Sequence, residues 1–101
     1  MRTFDIGATP DGNLWAFEVN NFSLGRKGVC RVVTSIEGAV LVRGPRFFSW
    51  FREDSFCEFL VDGERFEAEE PFGDNSRYWI GPKPPRLLPQ TKKVRDAFAN
   101  V

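Results

Sequence analysis

Phe47, Phe48, Trp50 and Phe51 place four aromatic rings within five residues, bracketed by Arg46 and Arg52. Rings at this density can stack nucleic-acid bases or flat ligands at about 1–3 kcal/mol each, and the flanking guanidinium groups add cation–π or phosphate contacts. Aromatic and arginine side chains also dominate the anchors of protein–protein interfaces. The competing reading is a connection that folds its rings over an open end of the core, since large exposed apolar patches are rare on soluble monomers. The run fits neither a helical stripe nor strict alternation, so its rings are hard to place on one buried face. Arg46, Phe47, Phe48, Trp50, Phe51 and Arg52 are therefore the candidate partner-binding residues.

Other groupings carry weaker chemistry. Glu58 and Glu67 fall opposite each other if Asp62-Gly63 closes a hairpin, with Glu69 and Glu70 nearby. Paired carboxylates can bind a hard cation or share acid/base work, but a solvated acidic face neutralised by Arg52, Arg65 or a basic helix is the simpler expectation. Gly25-Arg26-Lys27-Gly28 has the GxxG shape of a phosphate clamp, in a context read here as a turn before a strand. Arg77-Tyr78-Trp79 could extend an aromatic surface by one ring, with Trp79 expected in the core and Tyr78 at its rim. Pro82-Lys83-Pro84-Pro85 holds a PxxP spacing and reads as a rigid strap.

The chain contains no histidine, which removes the side chain best suited to proton transfer near neutral pH and the commonest zinc ligand. No cofactor motif or catalytic set is visible, so the expectation is a non-enzymatic protein without cofactor or metal. Cys30 and Cys57 are too far apart in sequence for a CxxC motif. Both fall in expected strands, as buried free thiols or, in an exported protein, as a disulfide.

The elements that must position these groups follow from composition and pattern. At 101 residues with eleven phenylalanines and three tryptophans, the chain fits one domain over residues 1–101 with an aromatic and β-branched core. Net charge is zero, but residues 1–51 hold six basic and four acidic groups, 52–80 three and nine, and 81–101 five and one. An acidic middle between basic ends favours packing of the ends onto the middle over a uniform nucleic-acid footprint. No stretch resembles a signal peptide or a membrane span, so a soluble, cytoplasmic protein is expected.

Along the chain, Phe4 and Ile6, then Trp15, Phe17 and Val19, alternate around the turn residues Thr9 to Asn13 and predict a hairpin. The β-branched run Val29 to Ile36 and the segment Ala39 to Arg43 predict a second, joined at Glu37-Gly38. Phe56 to Val61 and Glu64 to Glu69 flank Asp62-Gly63, the strongest hairpin signal, which sets Phe59 against Phe66, Cys57 against Ala68 and Glu58 against Glu67. Arg77 to Ile80 predicts a short last strand, and Gly81 to Arg86 an extended connection. From Pro89, Val94, Ala97, Phe98 and Val101 at helical spacing predict a helix that docks through Val94 and Phe98.

The expected fold is mainly β, an antiparallel sandwich or partly open barrel of about seven strands with one C-terminal α-helix. The expected function is a small binding or regulatory module that takes a protein partner through its aromatic–arginine surface. Single-stranded nucleic-acid binding by a small barrel, and a carboxylate-dependent enzyme or cation binder, are the alternatives. Oligomeric state is not fixed by the sequence.

Overall fold

The computed structural model describes residues 1–20, 24–43, 55–70 and 77–101. In chain order its elements are β1 (Thr3–Ile6), β2 (Ala16–Asn20), α1 (Gly25–Thr34), β3 (Ala39–Arg43), β4 (Ser55–Val61), β5 (Glu64–Glu69), β6 (Arg77–Pro82) and α2 (Pro89–Ala99). The strands form one open sheet in the order β1-β2-β6-β5-β4-β3, every pair antiparallel. The mainly-β antiparallel fold with a C-terminal helix stands; among the described residues it is one open sheet of six strands where about seven were expected, with a further helix, α1.

The β4–β5 hairpin shows how local chemistry sets the register. Asp62 and Gly63 take φ of 52° and 84°, the left-handed pair that a two-residue type I′ turn requires. Phe59 then pairs with Phe66, Cys57 with Ala68 and Glu58 with Glu67, as the turn residues predict. The rings of Phe59 and Phe66 stack with centroids 5.5 Å apart.

The expected strand over Val29 to Ile36 is instead most of α1 and the turn after it. Val29, Cys30, Val32, Val33 and Ile36 are all buried, while Arg31 and Thr34 are exposed. Those spacings make one helical stripe, so a helix buries all five apolar side chains on one side, whereas a strand would need cover on both. Burial outweighs the few tenths of a kcal/mol per residue by which β-branched side chains disfavour helix, a roughly additive local penalty. α1 crosses the sheet and carries the chain from β2 to the far edge at β3.

Both helices lie on one face of the sheet. Against them pack Phe17 and Val19 of β2, Cys57, Phe59 and Val61 of β4, Phe66 and Ala68 of β5, and Tyr78 and Ile80 of β6. α2 docks through Val94 and Phe98, both fully buried, and Phe98 meets Phe17 at 5.7 Å between centroids.

Three smaller expectations are corrected. Tyr78 is the core residue and Trp79 the half-buried one, because Tyr78 shares its face with Ile80 whereas Trp79 shares its own with Arg77 and Gly81. Gly81 and Pro82 extend β6 and pair with Glu67 and Phe66; Pro82 sits at the strand end, where a missing N–H is tolerated. Trp15 precedes β2, is 45% exposed, and lies over Gly7 so closely that a Cβ there would overlap its indole.

Candidate functional site

The residues singled out for partner binding, Arg46, Phe47, Phe48, Trp50, Phe51 and Arg52, lie outside the described residues. By sequence they join β3 to β4, and both flanking strands are described.

β3 is an edge strand, and among the described residues nothing pairs with its outer side. It exposes Val40, Leu41 and Val42 at 59%, 37% and 54%. On its inner side Val40 pairs with Leu60 and Leu41 with Phe59. The register then shifts between Leu41 and Arg43, leaving Val42 as the extra residue of a bulge. An edge strand presents unpaired N–H and C=O groups that can template another strand, and charge or cover normally blocks this. The opposite edge, β1, carries such blocks: Arg95 pairs with Asp5 at 2.7 Å, and Arg77 lies 3.7 Å from the centroid of Phe4. β3 has the bulge and the terminal Arg43, but three consecutive apolar side chains face solvent.

The open face of the sheet carries internally neutralised charges, with Val40 and Leu60 beside them in line with Arg65. Arg65 bonds Glu58 at 3.0 Å and Glu67 at 2.6 Å, and Arg43 approaches Glu58 at 3.7 Å. Arg77 pairs with Glu18 at 3.1 Å, and Lys83 pairs with Glu69 at 2.8 Å while lying 4.8 Å from the centroid of Trp79. These cations are committed to carboxylates, so the face is a mixed lattice and not a cationic track for phosphates. Among the described residues no three histidine, cysteine, aspartate or glutamate side chains cluster as metal ligands. Basic ends meet the acidic middle in the Arg26–Glu70, Arg86–Glu64 and Lys93–Asp62 pairs, which fits the uneven charge distribution along the chain.

A second site lies between α1 and β3, where sequence spacing gave no hint of one. Lys27, Cys30, Arg31, Thr34 and Leu41 line an open pocket of about 260 Å³. Cys30, on α1, forms part of its wall and is 8% exposed, whereas Cys57, on β4, is fully buried. Both are free thiols, and their sulfurs lie 3.0 Å apart. Hydrogen bonding to Cys57 holds the Cys30 thiol below its ordinary range against the opposing effect of burial. Cys57 is driven well above that range, first by its hydrogen bond to Cys30 and then by burial. The outer thiol is therefore the more acidic of the two. The signal for this proximity was the helical stripe of α1, which puts Cys30 in the same layer as the Cys57, Phe59 and Val61 face of β4.

Gly25-Arg26-Lys27-Gly28 forms the first turn of α1 rather than a turn before a strand. Arg26 is held by Glu70 at 2.7 Å, and Gly28 is buried beneath Leu24. Among the described residues no helix is long and apolar enough to cross a membrane. No protein-family model, no curated protein and no solved structure matches this chain.

Proposed function

We propose that the chain is a small non-enzymatic protein-interaction module that binds an extended segment of a partner protein along the outer edge of β3. The aromatic–arginine residues 46–52, next in sequence, supply anchors for that segment. The observation that carries this reading is the edge position of β3 together with the exposure of Val40, Leu41 and Val42. Backbone hydrogen bonds to an added strand supply affinity, and side-chain contacts on alternate positions supply selectivity. A formal net charge of zero supports recognition through apolar contact and backbone pairing over long-range attraction to polyanions. The reading places the module in the cytoplasm, supported by a cysteine content of two in 101 residues, far from that of disulfide-scaffolded secreted domains.

Selection of a random peptide library on the immobilised protein tests this. Enriched peptides should show alternating apolar residues, and V40K and V42K should each abolish their binding while leaving the circular dichroism spectrum unchanged. Failure to enrich any peptide, or enrichment indifferent to both substitutions, contradicts the reading. Sedimentation over a concentration series should show a monomer. A dimer broken by V42K would give the edge to a second copy of the chain and overturn the assignment to another protein.

A further inference from the structure

We propose that Cys30 and Cys57 form a thiol–disulfide exchange site that accepts an anionic low-molecular-weight disulfide in the pocket between α1 and β3. The inference is independent of the β3-edge reading and rests on three placements. The two sulfurs are 3.0 Å apart although they come from different elements, so a small approach closes them to bonding distance. Only Cys30 reaches the pocket, and Cys57 lies behind it without solvent contact. Lys27 and Arg31, both exposed and on the same helix as Cys30, line that pocket and put positive charge where an incoming carboxylate would lie. The available volume, about 260 Å³, suits one arm of a small disulfide.

The chemistry balances without a further reactant. The Cys30 thiolate attacks one sulfur of the incoming disulfide, forming a mixed disulfide and releasing the other half as a thiolate. Cys57 then gives its proton to the thiolate released into the pocket in the first step and attacks the Cys30 sulfur, forming the Cys30–Cys57 disulfide and expelling the second thiolate. Two electrons pass from the protein dithiol to the small disulfide, which leaves as two thiols once its thiolates take up the protons. The nucleophile is Cys30, the thiol that an incoming disulfide can reach in the pocket, and the buried Cys57 resolves the adduct, a division of labour that follows access.

The test uses the folded, reduced protein with glutathione disulfide as probe, quenched by alkylation and read by intact mass. The expected product has lost two hydrogens, and dithiothreitol restores the dithiol. C57S and C57A should halt at a single glutathione adduct, whereas C30S should form none. Neutral hydroxyethyl disulfide should react about three- to tenfold more slowly than glutathione disulfide, and K27Q/R31Q should narrow that gap. In the unaltered protein, peptide mapping of the earliest adduct should place glutathione on Cys30, which keeps the test decisive if a cysteine variant fails to fold. Absence of reaction in the folded protein, first attachment at Cys57, or equal rates with the neutral disulfide would each overturn the proposal.

Discussion

Glu58 and Glu67 face each other across β4 and β5 and share a single guanidinium, that of Arg65. Two like charges directly opposed destabilise a strand pair, and a bridging cation converts that repulsion into attraction. R65M should therefore lower stability by about 1 kcal/mol. The loss should be larger at low salt, because screening weakens the carboxylate repulsion that remains. Adding E67Q to R65M should recover part of it. Urea denaturation at two ionic strengths checks this; an unchanged midpoint for R65M would show that the trio contributes nothing.

Gly81 lets β6 pass close beneath its own neighbours. A Cβ there would stand 2.8 Å from the Ala16 Cβ and 2.8 Å from the Trp79 ring. G81A should cost about 1–3 kcal/mol by overpacking and shift the Trp79 fluorescence. G81A/W79L should regain only part of the loss, because the contact with Ala16 remains. Thermal unfolding with fluorescence detection measures both effects.

Thr91 is fully buried in the first turn of α2, and its hydroxyl makes no hydrogen bond to another described residue. An unsatisfied buried hydroxyl opposes folding, and valine has nearly the same shape without it. T91V should raise stability by about 1 kcal/mol, seen as a higher urea midpoint with an unchanged slope. A lower midpoint would show that the hydroxyl has a partner.

Gly63 holds φ at 84° in the β4–β5 turn. G63A should cost about 1 kcal/mol, because alanine resists the left-handed region that glycine accepts freely. Nothing lies within 4 Å of a Cβ built there, so the cost is one of backbone conformation and not of packing. Equilibrium unfolding of G63A measures it.

What the sequence revealed depended on whether one local signal sufficed. Asp62-Gly63 allows one turn geometry, so the β4–β5 register followed down to individual pairs. Pro89 with Val94 and Phe98 at helical spacing gave α2 and its buried face. Val29 to Ile36 was ambiguous, since β-branched composition points to a strand while the spacing of the same residues makes a helical stripe. Composition also hides the cysteine pair, because Cys30 reaches Cys57 only when α1 crosses the sheet. Tyr78 and Trp79 take the opposite faces to those expected, and Arg77 and Gly81, each two residues from Trp79, mark its side as the polar one. Residues 46–52, the candidate binding segment, lie outside the described residues, and what the structure describes there is the two flanking strands, β3 and β4.

The most direct test of the binding surface is chemical-shift mapping by NMR with a peptide selected on the immobilised protein. Backbone amides of Val40, Leu41 and Val42, and those of residues 46–52, should shift the most, with Trp79, Phe4 and Arg65 unmoved. Shifts concentrated on Trp79, Phe4 and Arg65, with β3 silent, would contradict an edge-binding module and move recognition to the open face of the sheet.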